Sequence, residues 1–549
     1  MTEDTFFSYN SIPGFQNLFL DYLYDFEKVD QFYQYDFRDT GAYPRILEAV
    51  CSKKRNHITE LPGILTRQYD GFLSSERTQE NINKLGKKNT VVIITGQQLG
   101  IFGGPLYAVY KTLTAIKLAE QLNDVFADYN FVPVFWLAGD DHDLEEVSGL
   151  HVFDTNNQPS SLYFGTKEAE AEEETINLKQ VGTLPLGDIV SPFIDAFKSQ
   201  LRITDFTDEL VTLLTQCYQS SDTFASSFRK LWFNLFDQYG LVILDPQDHE
   251  IKRIMKPVYA YEAEHFRRHS EALIMKSAEL EEIYHAQVKV RPINLFMLHQ
   301  GERFLVEPNE ENYRLRRKKV HFTKEELMKL IDEHPERFSG NALLRPVSQD
   351  FLLPTFAYIA GPAEISYYAQ IKPLYESFGV PMPLVYPRVS MTLLEKGVQN
   401  FLSKYDFSIY DVFVSPERFK EKYIGTVTDL DLNQISESTI TGIQEVFKNL
   451  EKVLSQLDPG LSDAVNKQSG KAEGLVKELF KKATDAQKKK HEVVSRQAEK
   501  AIHAVMPLGE LQERTINYFY FVNKYGPGLM RLLYDQAEIA AFEHQIVRL

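Results

Sequence analysis

Asp140, Asp141, His142 and Asp143 place three carboxylates and an imidazole directly behind the apolar run Val132–Ala138. At the end of a buried strand such groups cost solvation free energy unless they hold a metal, one another or a polar substrate. Two chemistries stay open. Two carboxylates and a histidine with one open position suit a divalent metal. The same groups without a metal can bind an ammonium or take a proton from an attacking amine. The bland alternative is a solvated loop in which one acid caps the next helix. The place behind an apolar strand favours function.

A second constellation precedes it, Thr95-Gly96-Gln97-Gln98-Leu99-Gly100-Ile101-Phe102-Gly103-Gly104-Pro105. Val91–Ile94 enters it, and a helix-patterned run from Leu106 to about Leu122 leaves it. Glycines at 96, 100, 103 and 104 let backbone N–H groups approach an anion at a helix start. The stretch is neither Gly-x-Gly-x-x-Gly nor a P-loop, so a tight turn without ligand is the competing reading. Lys111, two turns into the helix, reads as a surface lysine. Arg345, Gln349 and Asp350 read alone as an ordinary polar loop, and Gly361-Pro362-Ala363-Glu364 as a capped helix start. His249 reads as a surface histidine.

Five apolar runs end in Gly, Pro or polar residues: Val91–Ile94, Val132–Ala138, Leu241–Leu244, Leu352–Ile359 and Pro383–Tyr386. Helices and insertions separate them. Continuous apolar runs belong to strands buried on both faces, and ligands of open α/β sheets bind beyond their carboxyl ends. The five ends therefore nominate one cleft. One helix is expected over about 207–238 and another over 250–284, with short strands and loops over 155–205, including the acidic run Glu168–Glu174. Residues 1–88 read as a helical cap. From about 435 the pattern changes. Ile440, Ile443, Phe447, Leu450, Leu454 and Leu457 form a heptad seam, Asp458-Pro459-Gly460 breaks it, and a helix over 462–505 carries Leu475, Leu479, Ala483, Ala486 and Val493 on one stripe. The lysine-rich run Lys481–Lys490 reads as its solvated face.

The bulk composition narrows the class. The 549 residues are 43% hydrophobic and carry a formal net charge of -17. That excess of acid argues against general nucleic-acid or anionic-membrane binding. Cys51 and Cys217, the chain's two cysteines, exclude a disulfide framework and a Cys-rich zinc site. The acidic start Met1-Thr2-Glu3-Asp4 is unlike a signal peptide, and no apolar run has the length of a membrane helix. A soluble, cytoplasmic protein is expected.

Several short stretches together resemble the signature of the bacillithiol biosynthesis cysteine-adding enzymes: Thr95–Tyr107, Gly139–Asp143, Asn341–Pro346, Tyr358–Glu364 and Glu513–Asn517. The resemblance spans essentially the full chain. It implies a ligase joining L-cysteine to glucosamine-malate. It also implies an α/β fold, a Rossmann-type parallel-sheet core related to class I aminoacyl-tRNA synthetases. Connecting insertions at about 150–205 and 285–345 interrupt that core, and an antiparallel coiled coil serves homodimerisation. The implied division is a helical segment 1–88, a core 89–434, a coiled coil 435–505 and a returning segment 506–549. The His-x-Gly-His and Lys-Met-Ser-Lys-Ser signatures of those synthetases are absent, and the loop 97–104 takes the place of the first without a histidine.

For such a ligase Asp140, Asp141, His142, Gln97 and Gln98 are catalytic candidates. Gly96, Gly100, Gly103, Gly104, Tyr107, Arg345, Gln349, Asp350, Gly361 and Glu364 are candidates for substrate binding. By the resemblance Tyr386, Pro387, Arg388, Lys500 and Asn517 are candidates for a bound ATP or ADP, and no metal is implied. Two rival functions stand beside this one. The first is a metal-dependent hydrolase built on Asp140–Asp143 and His249. The second is a non-catalytic dimeric nucleotide-binding scaffold.

Overall fold

The structure, a computed structural model, describes residues 5–165, 178–427 and 431–549. The acidic run Glu168–Glu174 and the start Met1–Asp4 lie outside the described residues. The chain forms two compact units, one of residues 1–393 and 507–547, the other of 394–506 with 548–549. The second unit thus begins ahead of the compositional change near 435.

The first unit is organised on a five-stranded parallel sheet. Its strands are β1 (Thr90–Gln98), β2 (Asn130–Ala138), β3 (Val242–Leu244), β4 (Thr355–Ala360) and β5 (Leu384–Pro387). Their spatial order is β5-β4-β1-β2-β3. This is a doubly wound order, and it reverses between β1 and β4, where such sheets open a ligand crevice. Val91–Ile94, Val132, Val134, Val242 and Leu244 are completely buried. Each such side chain contributes about 1.5–3 kcal/mol relative to exposure. Burial on both faces explains why these runs do not alternate.

Helix α1 (Leu106–Val125) follows β1, α2 (His249–Glu281) follows β3, α3 (Leu344–Leu352) precedes β4, and α4 (Pro362–Phe378) follows it. The stretch holding Arg345, Gln349 and Asp350 is therefore the helix α3 rather than a polar loop. It takes the first residue of the expected strand Leu352–Ile359. Leu344, Val347 and Leu352 are fully buried, and this packing sets the local structure. The expected single helix over 207–238 is two, Thr207–Cys217 and Phe224–Phe236. Thr223 caps the second through the Ser226 amide, 3.3 Å away.

The insertion near 150–205 contributes an antiparallel hairpin, Gly149–Phe153 with Pro159–Tyr163, and an unforeseen helix Val190–Gln200. The insertion beyond α2 is a five-stranded antiparallel sheet that includes Leu295–His299, Glu302–Asn309 and Phe338–Gly340. A buried Glu262 ties it to the core. Its carboxylate accepts from His269 Nδ1 at 2.6 Å and from the Asn294 backbone amide at 2.9 Å.

The second unit contains α5 (Leu432–Leu454) and α6 (Leu461–Val505), joined at Asp458-Pro459-Gly460, where the Gly460 amide donates to Asp458 at 2.8 Å. The two helices pack as a hairpin, with Gln444 donating to Glu473 at 3.2 Å. Leu475 and Leu479 remain 69% and 65% exposed on this single chain.

Candidate active site

The carboxyl ends of β1 and β2 run in register, Gly96 beside Trp136, Gln97 beside Leu137 and Gln98 beside Ala138. Successive side chains of a strand face opposite ways. Gln97 accordingly meets Tyr107 Oη at 3.2 Å and accepts from Lys111 Nζ at 3.4 Å, whereas Gln98 donates to Asp141 at 3.0 Å. Each glutamine belongs to a different polar nest.

The glycine loop between them serves packing. A Cβ on Gly96 would lie 2.9 Å from the Trp136 carbonyl oxygen, one on Gly100 2.8 Å from Gly104 Cα, and one on Gly103 2.6 Å from the Trp232 ring. Gly103 also has φ +82°, a left-handed value that favours glycine. The amides of Gly100, Gly103 and Gly104 donate to the carbonyls of Gln98, Gly100 and Ile101 at 2.9, 3.0 and 3.1 Å. The Leu106 amide donates to Ile516 at 3.0 Å. The expectation of an anion cradle is corrected on this point, because these donors are already committed. Asn517 holds the loop from outside. Its amide nitrogen donates to the Phe102 and Gly104 carbonyls at 2.9 and 2.7 Å, and its oxygen accepts from the Phe519 amide at 2.9 Å. The side chain assigned to a nucleotide is thus a buried brace.

The inner nest sits where the strand order reverses. Lys111 is not a surface residue. It is 1% exposed, and it donates to the Gly96 carbonyl at 2.6 Å and to Glu364 at 2.7 Å. Glu364 also accepts from the Gly361 amide at 2.9 Å and from Tyr358. Burial disfavours the charge on Glu364, but Lys111 and these donors outweigh it and hold the carboxyl below its usual range. Burial in turn lowers the Lys111 pKa against the pull of Glu364. Arg345 donates to neutral oxygens instead, Tyr367 Oη at 2.6 Å, Tyr358 Oη at 3.4 Å and Gln349 at 3.4 Å.

Asp350 lies on the far side of α3. It bonds Tyr375 at 2.5 Å and Gln349 at 3.1 Å, and burial pushes its pKa up to about 6. Its neighbour Thr355 opens β4, at the opposite end of the strand from the cleft. Arg388, after β5, is committed to Glu513 through two hydrogen bonds of 3.0 and 2.6 Å. A Cβ on Gly361 would come within 3.4 Å of its Nε. Tyr386 donates to the Ile539 carbonyl at 3.3 Å, and Pro387 pairs with Ala360. Lys500 belongs to the second unit, on α6.

The outer nest is more open. Asp140 accepts from Gln180 at 3.1 Å and from Lys252 at 3.3 Å, and Lys252 is 1% exposed. Asp141 accepts from Gln98 at 3.0 Å and from the His142 amide at 2.7 Å. Its side chain is 41% exposed and that of His142 32%. Arg303, from the antiparallel insertion, stands 3.9 Å from Asp141 and 3.4 Å from His142 Nδ1. Burial opposes the charge on Asp141, yet Arg303 and the two hydrogen bonds hold its pKa below the usual value. Burial, followed by Arg303, lowers the pKa of His142. Asp143 caps the helix Leu144–Ser148 through the Glu146 amide at 3.0 Å, so the bland reading holds for that residue alone. His249 is exposed at the start of α2. The three acids part company, and among the described residues no three His, Cys, Asp or Glu groups are placed to share a metal ion. The geometry gives the hydrolase reading no support.

Lys111, Lys252, Arg303 and Gln180 were missed by sequence reasoning. Lys111 had a signal, lying one turn after Tyr107 on the face of an apolar helix. Arg303 had none, since it only precedes the apolar run Phe304-Leu305-Val306.

Residues 5–389 match the family model described as bacillithiol biosynthesis BshC, N-terminal Rossmann-like domain. Residues 391–549 match that of the BshC C-terminal coiled-coil domain. The chain is similar to the "Putative cysteine ligase BshC" of Chlorobaculum tepidum, 34% identical over 538 residues that cover 94% of each chain. The protein of the same name from Chloroherpeton thalassium is 33% identical, over 97% of this chain and 96% of that one. The one from Salinibacter ruber is 33% identical, over 98% and 97%. A solved structure, a putative arginyl-tRNA synthetase from Campylobacter jejuni, is 11% identical over 84% of this chain and 100% of that one. Its TM-score is 0.22, too low to bear on the fold.

Proposed function

The chain belongs to the bacillithiol biosynthesis BshC family and is a ligase of that pathway, and from this premise we propose how its site joins L-cysteine to the amine of glucosamine-malate. One observation carries the reading. The strand ends hold two nests, one offering the Arg345 guanidinium and the other the carboxylates of Asp140 and Asp141, tied together through the neighbouring side chains Gln97 and Gln98. The substrates need such a pair. Malate brings carboxylates, and both the sugar and cysteine bring an ammonium.

Arg345 takes a malate carboxylate, since a guanidinium bonded to phenols can exchange them for a charged partner in a bidentate pair. Asp141 and Asp140 receive the ammonium groups. A free carboxylate does not acylate an amine, so ATP activates the cysteine carboxyl as an acyl phosphate or adenylate. The sugar ammonium first gives up one proton to water, and the free amine then attacks the acyl carbon and the new carbon–nitrogen bond forms. The bond from that carbon to the phosphate oxygen breaks, and the leaving group departs with the electron pair. The amine proton passes to Asp141 and on to water.

The side chains of Arg388 and Asn517 are held by Glu513 and the glycine loop, and no nucleotide contact is assigned to them. The protein acts as a homodimer through α5 and α6, supported by the leucines that a single hairpin leaves exposed. Among the described residues no helix is long and apolar enough to cross a membrane, and we place the reaction in the cytoplasm.

Incubation with L-cysteine, glucosamine-malate and ATP tests the reading. It expects a new thiol together with stoichiometric AMP or ADP. No thiol product with any nucleoside triphosphate would overturn it.

A further inference from the structure

Arg303 is fixed by more than its charge. Its Nε donates to Ser339 Oγ at 3.1 Å and one terminal nitrogen to the Gly340 carbonyl at 3.1 Å. Its guanidinium carbon lies 3.8 Å from the centre of the Phe296 ring. Its backbone amide donates to the Leu178 carbonyl at 2.7 Å. The remaining nitrogen is thereby aimed at His142 Nδ1, 3.4 Å away. Guanidinium nitrogens only donate and stay charged in proteins. The imidazole nitrogen facing them must accept, and in a neutral ring the proton then sits on the other nitrogen. Asp141 Oδ1 is 3.5 Å from the same Nδ1 and would pull the other way. It is half-exposed and already bonded to Gln98 and the His142 amide, whereas the arginine is buried and braced at three points.

We propose that Arg303 is a positioning residue that locks His142 as the neutral Nε2–H tautomer, so that His142 donates a hydrogen bond to the oxygen of the reacting acyl group and Asp141 alone accepts the proton. This rests on the ligase reading for the identity of the acyl group, though not for the tautomer. It divides the outer nest into one donor and one acceptor. A neutral donor aimed at a developing oxyanion lowers the barrier without surrendering its proton. The insertion that delivers Arg303 thus sets the protonation of a core residue that shares no strand with it.

The direct test is nitrogen NMR of the full-length protein labelled with 15N-histidine and free of substrates, with His142 assigned by the signal lost in His142→Gln. The expected result at neutral pH is a pyridine-type shift for Nδ1 and a pyrrole-type shift for Nε2. Arg303→Met should mix or reverse the tautomers. A pyrrole-type Nδ1 in the wild type overturns the proposal, as does an unchanged tautomer in a folded Arg303→Met protein. Kinetics give a second reading. The amide group of His142→Gln can still donate, so it should retain at least about tenfold more kcat than His142→Ala, and equal losses would count against a donor. If no thiol product forms with any variant, the ligase reading falls while the tautomer result stands on its own.

Discussion

The inner and outer nests use the same kinds of charge and differ in what surrounds them. Lys111 and Glu364 face each other between β1 and β4, with tyrosines around them and their bonds closed on the backbone of Gly96 and Gly361. Asp141 and His142 stand at the end of β2 with 41% and 32% of their side chains exposed. A closed ion pair fixes geometry, because neither partner can leave without stranding the other. An open acid beside a fixed cation keeps its charge and retains room for a substrate. On the proposed reading the inner nest builds the cleft and offers Arg345 at its edge, and the outer nest performs the proton chemistry.

The contrast is sharpest in stability. Lys111→Met should cost about 3–5 kcal/mol, because it leaves Glu364 partly buried and uncompensated. Urea unfolding measures this, and a loss below about 1 kcal/mol would make the inner nest no more structural than a surface pair. Asp141→Asn should do the reverse, lowering kcat by about 10²-fold or more while the thermal midpoint stays near that of the wild type. Acid should also act on the buried cluster around Glu513. His544, buried between Ser390 and Thr392 and near Glu513, has its pKa pushed down to about 4. The unfolded chain binds that proton more readily, so the contribution is fully present above the ordinary histidine value and is lost as pH falls toward 4. The shift corresponds to about 3 kcal/mol. His544→Gln should flatten the fall in stability between pH 6.5 and 4, and an unchanged slope would remove His544 from the account. Arg345→Lys should raise KM for the malate-bearing substrate by about tenfold with little change for cysteine, since an ammonium cannot reproduce the bidentate contact. Equal effects on both substrates would place Arg345 elsewhere in the reaction.

The two nests also differ in how far they can be read without coordinates. The core strands were legible because each is a continuous apolar run closed by a turn, and the acids at 140–143 were legible because they follow one of them. The buried cations were not. Lys111, Lys252 and Arg303 come from a helix, another helix and an inserted sheet, and only the fold brings them to the strand ends. The glycine loop was found but misread, since spacing alone does not separate glycines that admit a ligand from glycines that admit Trp232 or a neighbouring backbone. Arg345 was visible in its motif, but the helix around it was hidden by the polar residues Gln349 and Asp350, which the core buries in a hydrogen-bonded pair.

The most direct test of the division between the nests is turnover and thermal midpoint measured on the same preparation of Asp141→Asn, with cysteine, glucosamine-malate and ATP saturating. The account predicts kcat reduced by about 10²-fold or more at an essentially unchanged midpoint. A variant that turns over like the wild type, or one whose loss tracks a fall in the midpoint, would contradict it.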